Sequence, residues 1–204
     1  MPGSEDAGRR DKLLLPLLPL REVLFPHSRR PLTLDAQRHA WLLLHCVGRS
    51  QPLAVSCLRQ AGDPPGVERV GVLATLAPLA EPGSPRVLCV TGGRLRIRSQ
   101  VRSGPEGSWL CEARALPEGD AELPAGELLP SVRALAQTIA TLRARGRLSF
   151  GEPFHLDDAG WVANRWCELL PVPTAAKQKL LELDTPQQRL RIVDSYLREK
   201  QIIR

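Results

Sequence analysis

The chain of 204 residues is 43% hydrophobic and 25% charged, a composition for one ordinary domain or two small subdomains with enough apolar material for a core. Its net charge of +6 rests on 24 Arg and only 4 Lys, a skew that a GC-rich genome produces unaided, so a pI near 9.5 permits an anionic partner without requiring one. Five cysteines, odd in number, scattered and never spaced as Cys-x-x-Cys, argue against a disulfide framework or a zinc site and for buried reduced thiols.

In chain order, residues 1–12 are polar and are expected to form a disordered tail. Arg9-Arg10-Asp11-Lys12 ahead of Leu13 imitates a secretion signal. The apolar run is short, however, holds Pro16 and Pro19, and meets Arg21-Glu22 without a small-residue cleavage site. No later run approaches the roughly 18 apolar residues of a membrane span. The chain therefore reads as cytoplasmic, with no membrane partner.

From Leu13 to Pro124 the pattern is strand-like, with apolar stretches at 13–20, 31–34, 53–58, 69–79, 86–91, 94–102 and 108–116 separated by Pro, Gly, Asp and Ser clusters. The stretches 61–66 and 81–85 read as loops, and Gly92-Gly93 as a bend between two strands. One helix interrupts this region, from about Asp35 to Val47. Asp35 caps it, Ala36, Ala40, Leu43, Leu44 and Val47 share the inward face, and Gly48 stops it.

After Pro124 the period changes. Leu128, Val132, Leu135, Ile139 and Leu142 form a stripe along a helix that starts near Leu129, with Pro130 in its first turn, and ends at Gly146. A second helix follows Asp157, with Val162, Trp166, Leu169 and Leu170 inward and Pro171 as its end. A third runs from about Thr174 to Leu183. The fourth opens on Thr185-Pro186-Gln187-Gln188, a capping box, and buries Leu190, Val193 and Leu197.

Four local patterns invite chemistry. The adjacent His45-Cys46 pair diverges by about 100° around a helix axis, which favours packing over proton transfer. His155, Asp157 and Asp158 are metal-ligand types but sit where a helix cap is expected, without a second ligand cluster. Arg94, Arg96, Arg98 and Arg102 alternate with Leu95, Ile97 and Val101, so in a strand the four guanidinium groups would share one face, able to hold phosphates or acidic peptides, or simply to be solvated. Among the tryptophans, Trp161 and Trp166 read as core, whereas Trp41 lies off the apolar face of its helix and is a candidate peptide-contacting aromatic.

The opening Leu15-Pro16-Leu17-Leu18-Pro19-Leu20-Arg21-Glu22-Val23-Leu24-Phe25-Pro26 resembles the start of the N-terminal, substrate-binding domain of the ATP-dependent Lon protease (protease La) family. Further segments resemble that family in order: Arg38, Gly71-Val72-Leu73-Ala74-Thr75-Leu76, Gly93-Arg94-Leu95-Arg96-Ile97, Trp109 to Arg114, Leu170-Pro171, Lys177-Gln178, Leu180-Leu181-Glu182 and Arg189-Leu190, covering about residues 13 to 199. The chain departs at His27, where the family usually has Gly and where the turn is expected to be built differently, and at Asp35-Ala36 and Val72.

The resemblance implies an α+β fold: a β-rich, PUA-like pseudo-barrel over residues 13–124 with one inserted helix, then a small helical bundle over 125–204. It also implies binding of unfolded or apolar polypeptide segments, with Arg21, Phe25, Arg38 and Trp41 as candidate contacts. There is no Gly-x-x-x-x-Gly-Lys-Ser/Thr loop for ATP, and the four lysines leave no credible Ser-Lys dyad. The expectation is a free-standing, non-catalytic domain without cofactor or metal, possessing substrate-binding capacity but neither ATPase nor protease. Delivery to a protease, an assembly role through contacts with itself, and RNA binding through the Arg94, Arg96, Arg98 and Arg102 face are the alternatives.

Overall fold

The computed structural model describes residues 12–79, 84–98, 100–118, 121–146 and 150–203. The expected disordered tail, Lys12 apart, and most of the 81–85 loop lie outside the described residues. Two compact units divide between Pro117 and Glu118.

In the first unit, six leucines and two prolines make β1 (Leu13–Leu20). Residues 15–18 of β1 are all buried, and because successive strand residues point to opposite faces, this strand is covered on both sides. It runs parallel to β3 (Leu53–Gln60) and antiparallel to β8 (Trp109–Ala115). The remaining strands are β2 (Arg29–Thr33), β4 (Gly66–Val67), β5 (Val70–Pro78), β6 (Arg86–Ile97) and β7 (Arg102–Ser103). They pair in the order β2-β6-β5-β3-β1-β8-β7, with β4 on β3, and a further β6–β8 pairing closes the path into a barrel. Leu15, Leu17, Ala54, Leu95, Ile97, Cys111 and Ala113 fill it.

Two expectations for this unit are corrected. Gly92-Gly93 does not bend the chain, and β6 is one strand of 12 residues. Its register against β5 passes from Val72↔Arg94 to Ala74↔Thr91, so the two glycines oppose Leu73 alone, as in a β-bulge. The predicted 94–102 strand is correspondingly split, its first part ending β6 at Ile97 and its last forming β7.

The predicted 35–47 helix is mostly irregular. Asp35 Oδ1 accepts the amides of Gln37 at 3.0 Å and Arg38 at 2.8 Å, so the capping role is real. Regular helix spans only α1 (Ala40–Leu42), followed by a π-helical turn at Leu43–Val47. The wider π turn rotates later residues off the α-helical period. Leu42 and Cys46 therefore point inward, while Ala36, Ala40 and Leu44 are exposed and Leu43 and Val47 half-buried.

His27 is also a correction. It adopts φ of 59°, the left-handed conformation that Gly takes without penalty, so the turn after Phe25-Pro26 keeps a glycine-like backbone with a histidine in it.

The second unit is helical: α2 (Leu129–Ala144), α3 (Ala159–Leu169), α4 (Thr174–Glu182) and α5 (Pro186–Glu199). Residues 121–124 join it, because the Glu122 carbonyl accepts the Ala159 amide at 2.8 Å and the Leu123 carbonyl accepts Gln187 Nε2 at 2.7 Å. Gly146, at φ of 62°, follows α2 as the terminator. Asp158, not Asp157, caps α3 through the Gly160 amide, and Thr185 Oγ1 accepts the Gln188 amide at the start of α5.

Polar groups tie these helices together. The buried Arg189 of α5 donates to Asn164 Oδ1 of α3 at 2.8 Å and to the carbonyls of Leu180 and Leu183 at the end of α4 at 2.9 and 3.0 Å. Ser131 Oγ donates to Asp194 Oδ1 at 2.6 Å, and Trp166 Nε1 donates to the Ser131 carbonyl at 3.0 Å. Trp161 is buried against Phe150 and Phe154.

Two substitutions test these close approaches. A Cβ at Gly71 would drive into the Val55 carbonyl oxygen and stand 3.1 Å from Ser56 Cβ, so Gly71→Ala is expected to lower stability by about 3 kcal/mol or more in urea titrations. Arg189→Leu removes the donor from one buried and two part-buried acceptors and is expected to lose about 3 kcal/mol, read from the far-UV helical signal.

Candidate functional site

The β-rich unit carries an open cleft of about 920 Å³ between the 59–69 hairpin and the end of β6. The hairpin leaves β3 at Gln60, turns through Gly62 to Pro65, and returns as β4. Its return arm is pinned by Ser56 Oγ, which donates to the Glu68 carbonyl at 2.8 Å, and by the Glu68 amide, which donates to the Cys57 carbonyl at 2.9 Å. The Ile97 amide then donates to the Arg69 carbonyl at 2.8 Å, which holds the hairpin against β6. On the other side of that strand the Arg98 amide donates to the Glu112 carbonyl at 2.8 Å.

Four exposed arginines line the cleft: Arg59 and Arg69 from the hairpin, Arg96 and Arg98 from β6 and its exit. Between the latter two, Ile97 turns into the barrel interior with Leu95, as strand alternation requires. Val67, Ile97 and Val101 form the apolar floor, and Asp63 and Glu68 add two carboxylates to the lining. Among the described residues none of the four arginines forms an ion pair.

The predicted row of four arginines is thus corrected. Arg94 is buried because the segment after β8 lies over it: its Nη2 donates to the Pro117 carbonyl at 3.3 Å, and its own carbonyl accepts the Leu116 amide. Arg102 belongs to β7 and pairs with Glu112 at 3.2 Å. Only Arg96 and Arg98 of that row open into the cleft. Arg59 and Arg69 escaped sequence reasoning because nine residues, a loop among them, separate them from each other and they follow no strand period. Their one signal was position, on either side of the predicted 61–66 loop.

The four candidate peptide contacts lie elsewhere. Arg21 and Arg38 are exposed. Phe25 is fully buried, its carbonyl accepting Thr91 Oγ1 at 2.6 Å, so it is a core residue and offers no contact surface. Trp41 is half-buried and stacks on His45 at 4.3 Å, with His45 Nδ1 donating to the Trp41 carbonyl at 3.0 Å. None of the four lines the cleft. His155 and Asp157 are exposed beside the α3 cap, and among the described residues no three His, Cys, Asp or Glu groups cluster as metal ligands. No described helix is long and apolar enough to cross a membrane.

Comparison with known proteins matches residues 14–199 to the ATP-dependent protease La (LON) substrate-binding domain. A Lon protease of Desulfovibrio desulfuricans is 27% identical over 196 residues, which cover 91% of this chain but only 22% of that protein. The chain thus spans about a fifth of the length of this relative. The crystal structure of a Lon N-terminal domain protein from Xanthomonas campestris has the same fold, with a TM-score of 0.65 at 24% identity over 90% of this chain and 98% of that one. The N-terminal domain of a Mycobacterium avium complex Lon protease superposes with a TM-score of 0.62 at 20% identity, covering 92% and 99% of the two chains.

All five cysteines are buried and unpaired with one another. Burial pushes the Cys46 thiol up to about 11 and those of Cys89, Cys111 and Cys167 up to about 12, and raises Cys57. A thiolate is the reactive form, so the native protein is expected to leave all five unlabelled by a disulfide reagent at mildly alkaline pH and to release all five on denaturation. A thiol that reacts at once in the native state would contradict this.

Proposed function

The chain belongs to the ATP-dependent protease La (LON) substrate-binding domain family, and from that membership we propose that it captures segments of unfolded or damaged polypeptides reversibly, without chemistry of its own. One observation carries the reading: the family match runs from residue 14 to 199 and so takes in both compact units. The open cleft is the surface we assign to capture. It offers exposed backbone at the hairpin turn, the apolar stems of four arginines and an apolar floor.

Capture of this kind needs no nucleotide. Within a Lon system the bound segment would pass to an ATP-driven protease, and the step belonging to these two units is recognition. Affinity would come from many small contacts along an extended segment, so dissociation is fast enough for hand-over.

Fluorescence anisotropy with a labelled, permanently unfolded polypeptide tests this reading. Saturable binding is expected without ATP, at least about tenfold tighter than binding of the same polypeptide in its folded form. Binding should survive moderate salt, since apolar contacts are weakly screened. Absence of polypeptide binding, together with steeply salt-dependent binding of single-stranded RNA, would overturn the reading in favour of a nucleic-acid module.

A further inference from the structure

Some of the described arginines find carboxylate partners. Arg30 pairs with Glu22 at 2.9 Å, Arg102 with Glu112 at 3.2 Å, Arg143 with Glu152 at 2.8 Å, and Arg198 with Asp194 at 2.7 Å. Other exposed arginines have none among the described residues, and what sets the cleft apart is that it gathers four of these in one place. Arg59, Arg69, Arg96 and Arg98 converge on one concave surface without an ion pair among the described residues, although Asp63 and Glu68 line the same surface. A second observation points the same way. Arg96 stands directly opposite Arg114 in the β6–β8 pairing, and both are exposed. Like charges facing each other across a ladder destabilise it, and an anion placed there would relieve the repulsion.

The identity of the anion follows from the rest of the lining. Arg96 is in β6 and Arg98 follows its last residue, both exposed on either side of the buried Ile97, and strand geometry repeats alternate side chains at about 6.6 Å, as in an extended peptide. Guanidinium groups accept carboxylates through paired N–H donors, and exposed pairs of this type need little desolvation. Asp63 and Glu68 would repel an unbroken phosphate chain, whereas a peptide can set neutral residues against them. No aromatic side chain lines the cleft, so stacked bases would find no platform. The apolar floor suits the intervening side chains of a peptide strand.

We propose that this cleft selects acidic polypeptide segments: an extended stretch with Asp or Glu at alternate positions lies along the end of β6, its carboxylates on Arg96 and Arg98, with Arg59 and Arg69 reaching it from the hairpin. The proposal rests on the polypeptide-capture reading and specifies which segments are preferred. Exposed ion pairs are individually weak, so the preference is a matter of several contacts acting together. It is also salt-sensitive, unlike the apolar part of capture.

The test uses the full chain and three labelled peptides of equal length, alternating Glu-Thr, Gln-Thr and Lys-Thr, with an unfolded neutral polypeptide and a single-stranded RNA as further probes. At low salt the Glu-Thr peptide is expected to bind roughly tenfold tighter than the Gln-Thr peptide, with the Lys-Thr peptide weakest. The double variant Arg96→Gln/Arg98→Gln changes only exposed side chains; it should bring the Glu-Thr and Gln-Thr peptides to within about twofold of each other, a ratio in which any loss of stem contacts common to both cancels. Asp63→Asn/Glu68→Gln should tighten the Glu-Thr peptide a few-fold, and Arg133→Gln, exposed on α2 and outside the cleft, should change nothing. Equal binding of the Glu-Thr and Gln-Thr peptides, or a preference that persists in the double variant, sinks the proposal while polypeptide capture stands. Failure of every peptide and of the neutral polypeptide sinks both. RNA that binds more tightly than the Glu-Thr peptide and is lost in the double variant assigns the cleft to nucleic acid and overturns the proposal.

Discussion

The Thr91 hydroxyl donates to the Phe25 carbonyl at 2.6 Å and accepts the Ser28 amide at 2.8 Å, while the Thr91 amide donates to the Ser28 carbonyl at 3.0 Å. Three bonds from one buried residue of β6 thereby fix the turn in which His27 is held left-handed. β2 begins immediately after that turn, with Arg29 opposite Val90, so the same bonds set its register on β6. Just beyond Thr91 come the two glycines of the bulge. A β6 broken there would be two short strands; kept whole, it carries β2 and β5 on its first half and β5 and β8 on its second. Closure of the barrel, and with it the outward aim of Arg96 and Arg98, depends on that continuity.

Alternation and helical period made most of the elements legible, because both are consequences of burial on one face. The helices from Leu129 and Thr185 announced themselves by a stripe together with a proline or threonine at the start, and the structure adds that Asp158 rather than Asp157 begins α3. What failed shares a physical cause. Gly92-Gly93 signals freedom of the backbone, and freedom serves a bulge as well as a bend. Leu43, Leu44 and Val47 match a helix of ordinary period, but a π turn moves the inward face to Leu42 and Cys46. Arg94 has the alternation of an exposed residue, yet it is covered by the chain after β8, far from it in sequence. The candidate site was half legible for the same reason. Arg96 and Arg98 lie within one strand pattern, whereas Arg59 and Arg69 join them only through the Ile97–Arg69 backbone bond.

Among the described arginines three groups stand out by what they touch. Arg94, Arg165 and Arg189 are buried and act as multi-donor struts. Arg165 lies within 5.3 Å of the Phe150 ring centroid and 5.7 Å of the Trp161 ring while pairing with Glu168 at 3.0 Å, and Arg189 donates to two carbonyls at the end of α4. Lysine could not replace them, since one compact ammonium lacks both the planar face and the separated donors. A second class pairs with carboxylates on the surface, where each contact contributes little to stability. The third lines the cleft.

This division bears on what the net charge means. Positive charge spread evenly would give only a diffuse attraction for any anion, screened within about 10 Å at ordinary salt. Against that diffuse field the cleft gathers four unpaired guanidinium groups on one concave wall. The two carboxylates there keep the field uneven along the groove, so a ligand of uniform charge meets repulsion that a patterned one avoids. Selectivity between segments can thus arise in a fold whose family role is substrate binding without any deep pocket, because spacing along a strand and the order of charges along the chain are the quantities compared.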